Sequence, residues 1–102
     1  MMKIAYIAGP YRADTINGIV QNIRKAEEVA IRYWKLGFMA YCPHKNTSLF
    51  DGILPDDVWL EGNLAMLERC DLIVMVKGWQ NSKGSCVEHD FAESKGMKII
   101  YD

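Results

Sequence analysis

The sequence has no block of like charge, no C-x-x-C pair and no apolar run of membrane-spanning length, and it contains only two histidines and three cysteines. Each absence removes a class of protein. With a formal net charge of −1 and no clustered Lys and Arg, the chain lacks the electrostatic footprint of a nucleic-acid binder. Cys42, Cys70 and Cys86 are odd in number and unpaired in spacing, which argues against a disulfide framework or structural zinc and for reduced thiols. Cys42 and Cys70 read as small core residues beside apolar strands, while Cys86 stands at a helix start. His44 and His89 fall at no metal-ligand spacing and read as polar surface or loop residues, so no metal and no cofactor is expected. The apolar run after Lys3 is cut short by Gly9-Pro10, which speaks against a signal peptide. These features lead to the expectation of a soluble, cytoplasmic protein whose partner is a small molecule, with no nucleic-acid and no membrane partner.

What is present is a chain of 102 residues, 50% of them apolar, enough for one domain over 1–102 with a real core. Lys3 to Ile7 reads as a first strand, broken by Ala8-Gly9-Pro10-Tyr11-Arg12. Ile16, Ile19, Val20, Ile23, Ala26, Val29, Ala30 and Tyr33 then recur at helical spacing, and Gly37 ends that helix. Phe38 to Tyr41 predicts a second strand closed by Pro43. Residues 44 to 55 read as an irregular loop, long enough for so small a domain to suggest a functional loop or lid. Pro55-Asp56-Asp57 opens a helix carrying Trp59, Leu60, Asn63, Leu64 and Leu67, with polar Asn63 interleaved among apolar positions. Leu72 to Val76 is a continuous apolar run, as in a strand covered on both faces. A helix from about Ser85 to Lys95 and a strand from Lys98 to Tyr101 complete the chain.

Alternating strands and helices with right-handed crossovers predict an α/β, three-layer, doubly wound domain of Rossmann or flavodoxin-like type, with a parallel sheet of about four strands in the order 2-1-3-4. In that order a crevice opens at the carboxyl ends of strands one and three. The segments 8 to 12, 43 to 47 and 77 to 88 converge on it.

Glu88 is the residue there most able to do chemistry. It sits in the first turn of a helix, after a loop holding Trp79, Ser82, Lys83 and Gly84. The same stretch, Ser85-Cys86-Val87-Glu88, also fits a capping box, in which Ser85 and Glu88 satisfy each other's backbone amides. Gly9 and Pro10 allow a tight turn around a ligand, Arg12 can hold an anion bidentately, and Ser82, Lys83 and Gly84 precede a helix N-terminus suited to phosphate. The spacing is not that of a P-loop. Tyr11 and Trp79 either stack on a base or pack against the rim.

Tyr6 with Gly9-Pro10-Tyr11-Arg12, the segment from Asn63-Leu64 to Cys70-Asp71, and Ser82-x-Gly84-x-x-x-Glu88-x-x-x-Ala92-x-x-x-Gly96 resemble the nucleoside 2-deoxyribosyltransferase superfamily, over nearly the whole chain. That superfamily includes deoxynucleoside 5′-monophosphate N-glycosidases and the phage and bacterial relatives that this chain resembles most closely. The resemblance implies cleavage or transfer of an N-glycosidic bond. Glu88 would be the nucleophile, Tyr6 the tyrosine beside it, and a covalent glycosyl-enzyme would form as in retaining sugar hydrolysis. It also implies a homodimer, since relatives complete their sites from a neighbouring subunit. The Ser82 and Gly84 pair and Arg12 match the monophosphate branch, which favours a 5′-phosphate over a free nucleoside. One departure stands out. Asn63 occupies the position of the aspartate that handles the nucleobase, and an amide can hydrogen-bond a base but cannot exchange a proton with it. Asp57 or Glu61 of the same helix could substitute, although neither matches the motif. A nucleotide-binding or sensing module that kept the pocket and lost turnover is the other reading.

Overall fold

Alternation along each strand divides the core in two. A computed structural model describes residues 1–102. In β1 (Ile4–Ala8), Ala5 and Ile7 point to one side of the sheet, and Tyr6 and Ala8 to the other. β2 (Met39–Tyr41), β3 (Leu72–Met75) and β4 (Lys98–Tyr101) join it in an all-parallel sheet of order β2-β1-β3-β4, as expected. Each crossover is helical, which is what parallel neighbours require.

The first side is closed by α1 (Ile16–Lys35). Thr15 caps it, its hydroxyl accepting from the amide of Gly18 at 2.9 Å. Gly37 ends it at φ 97°, a left-handed conformation that glycine adopts without strain. Ala26, Val29, Ala30 and Tyr33 pack on Ala5, Ile7, Leu72, Val74 and Val76. The apolar stripe extends beyond its cover, however: Ile16 overhangs the sheet and stays exposed.

The opposite side is closed by α3 (Asp56–Leu67) and α4 (Lys83–Ser94), through Leu67 and Ala92 against Tyr6, Ala8, Ile73 and Met75. Strand bounds differ from the sequence reading by a residue at β1, β2 and β3. The segment from 44 to 55 is not wholly irregular, because Pro43 at the first helical position opens a short helix, α2 (Pro43–Asn46). No helix is long and apolar enough to cross a membrane.

Candidate functional site

The start of α4 decides what Glu88 does. The helix begins two residues earlier than Ser85: Ser82 is the N-cap, extended at φ −111° and ψ 117°, and its hydroxyl accepts from the amide of Ser85 at 3.2 Å. The expected capping box is therefore absent. Ser82 already caps the helix, so Ser85 lies inside it and the Glu88 side chain is released from capping duty. It reaches instead across to β1, where the hydroxyl of Tyr6 donates to Glu88 Oε2.

That pairing takes place away from water. Tyr6 is fully buried and Glu88 is 5% exposed. Burial pushes the Glu88 carboxyl up from 4.5 to about 7, opposed by the hydrogen bond from Tyr6, which favours the charged form. The Tyr6 hydroxyl is itself held well above 10, by burial first and the Glu88 charge second. Tyr6 thus remains a donor while Glu88 titrates near neutrality. With Oε2 held by Tyr6, Oε1 has no protein partner and is not among the enclosed atoms, so it is the oxygen turned to solvent. The single enclosed side-chain polar atom without a partner is Ser85 Oγ, one turn before Glu88 on the same helix.

Glu88 lies in a cleft of about 590 Å³ at the carboxyl ends of the strands. Gly9 to Arg12 after β1, Pro43, His44 and Thr47 after β2, and Asn81 to Ser85 after β3 meet there, the convergence expected of this topology. Asn63 joins them from α3. The two ends of the cleft differ in charge. At the α4 end stand the helix N-terminus, Ser82 and Lys83, which makes no ion pair, with Gly84, where an added Cβ would meet nothing within 4 Å. The α3 end holds Asp51, Asp56 and Asp57.

Arg12 bridges toward the acidic end. It pairs with Asp51 at 2.9 Å and with Asp56, and the Tyr11 hydroxyl also donates to Asp51 while accepting from the Leu49 amide at 2.9 Å. Tyr11 and Arg12 thereby tie the 47 to 56 stretch to the loop after β1. Gly9 serves packing as much as any ligand: a Cβ there would sit 2.7 Å from Val76 Cβ, so only glycine lets β1 and the end of β3 approach.

A family model described as a domain of unknown function, DUF4406, matches residues 2–101. The chain belongs to this family. No curated protein matches it.

In this DUF4406 member, most of the residues singled out from the sequence meet in one cleft: Gly9, Pro10, Tyr11, Arg12, Asn63, Ser82, Gly84 and Glu88 line it, with Tyr6 beneath. Trp79 does not. Its ring stacks on His89 at 4.5 Å and packs against the α3 and α4 side of the core, so it is a structural residue here. The histidines also differ from expectation, since both are buried. His89 is on α4, one nitrogen against the Tyr101 hydroxyl at 2.8 Å. His44 Nε2 faces the Pro10 carbonyl at 2.8 Å; a carbonyl only accepts, so that nitrogen donates, and burial lowers the ring's pKa and keeps it neutral. Both find partners that no local pattern reveals.

Cys86 is half-buried, its thiol directed at the carbonyls of Trp79 and Gln80 rather than into the cleft. Burial raises the Cys42 thiol, and that of Cys70 to about 11, so neither is an activated thiolate. Trp59, Leu60, Asp51 and Asp56 are the cleft residues the sequence reading missed. For Trp59 a signal existed: it lies four residues before Asn63, hence on the same helix face.

Proposed function

We propose that the chain cleaves or transfers the N-glycosidic bond of a nucleoside 5′-monophosphate or nucleoside, with Glu88 as nucleophile. The observation that carries this reading is a buried carboxyl at the cleft wall with one oxygen held by Tyr6 and the other free. In its ionised form Glu88 attacks the anomeric carbon through Oε1 as the bond to the base nitrogen breaks. The bonding pair leaves with the base, which the Asn63 amide steadies by a hydrogen bond and which takes its proton from water. Water then attacks the same carbon, releasing the sugar and restoring the carboxylate; a second base in place of water gives transfer. Lys83, Ser82 and the free amides at the start of α4 suit a 5′-phosphate. Arg12 would have to exchange Asp51 and Asp56 for that phosphate.

Incubation with a panel of deoxynucleoside monophosphates, followed by chromatography for free base, tests the activity. Base release by the native protein and none by Glu88→Gln supports it; equal release by both removes Glu88 from the chemistry. A second reading, a binding or sensing module, is favoured by Asn63, which cannot pass a proton to the base, and by an Arg12 already occupied. It predicts tight nucleotide binding without release of base.

The proposal includes a homodimer. Leu49, Phe50, Ile53, Leu54 and Val58 are all exposed beside the acidic end of the cleft, an apolar patch of the kind that marks a protein contact. Sedimentation of an active preparation at micromolar concentration should show the dimer, and monomer alone would refute it.

A further inference from the structure

Two side chains of fixed positive charge line the cleft, Lys83 and Arg12, and one of them is already taken: Arg12 is held by Asp51 and Asp56. The two sides of that contact are not equally firm. The loop after β1 is a post, because His44 Nε2 donates to the Pro10 carbonyl at 2.8 Å and Asn22 Nδ2 donates to the carbonyls of Tyr11 and Arg12 at 3.0 and 3.2 Å. Residues 47–55 are a strap. From 48 to 54 every backbone-to-backbone hydrogen bond closes a turn within the strap, Phe50 to Thr47 and Ile53 to Phe50, both at 3.1 Å. Leu49, Phe50, Ile53 and Leu54 are exposed, so little apolar burial holds it down. Leu49 sits at φ 61°, a left-handed conformation uncommon for leucine, with its amide on the Tyr11 hydroxyl. Besides the Phe50 ring against Trp59, the strap is fastened by Tyr11 and Arg12 gripping Asp51. Asp56, the first residue of α3, joins the grip at its far end.

We propose that this contact is autoinhibitory: Asp51 and Asp56 occupy the Arg12 guanidinium in place of a ligand's phosphate, and a phosphate reaches Arg12 by displacing the strap. Carboxylate and phosphate offer a guanidinium the same paired oxygens, so they compete for one set of N–H donors. Two aspartates on one arginine also leave that end of the cleft with excess negative charge, which repels an anion until Asp51 withdraws. Once Asp51 lets go, the Tyr11 hydroxyl loses its acceptor and Leu49 is free to leave its left-handed conformation, so one exchange at Arg12 releases the strap as a whole. Exposed ion pairs are individually weak, which makes them displaceable by a ligand. While they hold, apparent affinity is lowered by the fraction of molecules in which Arg12 is free. The inference rests on the reading under Proposed function only in treating the cleft as an anion site.

Inorganic phosphate, which carries neither sugar nor base, is the probe, titrated by NMR into the native protein, Asp51→Ala, Asp57→Ala, Arg12→Ala and the double variant of Arg12→Ala with Asp51→Ala. Asp51 and Asp57 are exposed, so their substitution spares the core. Asp57→Ala removes the same charge from the same end of the cleft without touching Arg12, and so measures the general field. Asp51→Ala should bind phosphate about three- to tenfold more tightly than Asp57→Ala does. Arg12→Ala should bind it more weakly than the native protein, and adding Asp51→Ala should recover no more than the Asp57→Ala increment. Hydrogen exchange at the Leu49 amide gives a second readout: saturating phosphate should speed it in the native protein and leave it unchanged in Asp51→Ala, where it is already fast. Equal affinities in Asp51→Ala and Asp57→Ala, or a gain from Asp51→Ala that persists in full without Arg12, would overturn the latch and leave base release to its own assay. So would phosphate binding that does not change Leu49 exchange in the native protein. Phosphate binding to none of the proteins overturns the latch together with the 5′-phosphate preference, but not the nucleophile.

Discussion

The two sides of the sheet are built from alternate residues of the same strands, yet they do different work. On the α1 side the buried cluster is apolar throughout apart from the Tyr33 hydroxyl and the Cys42 thiol, and one helix supplies four of its residues. On the other side α3 buries only Leu67, and Ser85, Glu88 and His89 are buried beside the small cluster that Leu67 and Tyr6 join. The first side holds the domain together by excluding water. The second gives up apolar burial to keep an ionisable carboxyl in a dry place, which is costly unless the group is partnered and of little use unless one atom stays reachable. Tyr6 meets the first condition and Oε1 the second.

Substitutions on the two sides should therefore separate. The largest effect is on turnover: Glu88→Ala and Glu88→Gln should both abolish base release, a loss of at least about a thousandfold and so of roughly 4 kcal/mol, while circular dichroism shows both folded. Next is Ile7→Ala on the α1 side, which should cost about 2–5 kcal/mol in denaturant unfolding and leave the pH dependence of turnover unchanged. A shift in that profile would show that the two sides are not independent.

The third prediction concerns pH. Below about 4.5 Glu88 is protonated whether the chain is folded or not, and the folded state keeps that proton until about 7. Because the folded pKa is raised, stability is greatest below the unfolded value, falls as pH climbs through this window and levels off above it. The total is roughly 3 kcal/mol at about 1.4 kcal/mol per unit. Glu88→Gln should remove this component and be more stable than the native protein at pH 8, as judged by unfolding at both pH values. Turnover in the proposed reaction should run the other way, rising toward pH 7 as Glu88 ionises. Tyr6→Phe should move that rise to higher pH, because its hydrogen bond favours the carboxylate. The smallest effects test the ends of single helices. Lys83→Ala should weaken monophosphate binding about tenfold, or 1.4 kcal/mol, with nucleoside binding unchanged in the same titration. Thr15→Ala should cost about 1 kcal/mol by loss of the α1 cap and alter no ligand.

How much could be read in advance follows the same division. The α1 stripe has helical period, and the strands are short apolar runs between breakers, so the parallel order followed from alternation and crossover handedness. The site was legible as a set of segments, because the topology brings strand ends together whatever their side chains do. Partners within it were not. Ser85-x-x-Glu88 fits a capping box on paper although Ser82 is the residue that caps, and Trp79 reads as a stacking ring although it packs against the core.

By itself, then, the sequence determined an α/β domain in the order 2-1-3-4 and the gathering of Gly9, Arg12, Ser82 and Glu88 at one edge. Only the tertiary structure decided that Glu88 belongs to Tyr6 across 82 residues of chain, that Arg12 is held by Asp51 and Asp56, and that Trp59 rather than Trp79 faces the cleft. Local periods and turn residues act within a few positions. Burial, which raises the Glu88 carboxyl and makes its single partner matter, is a property of where distant segments come to rest.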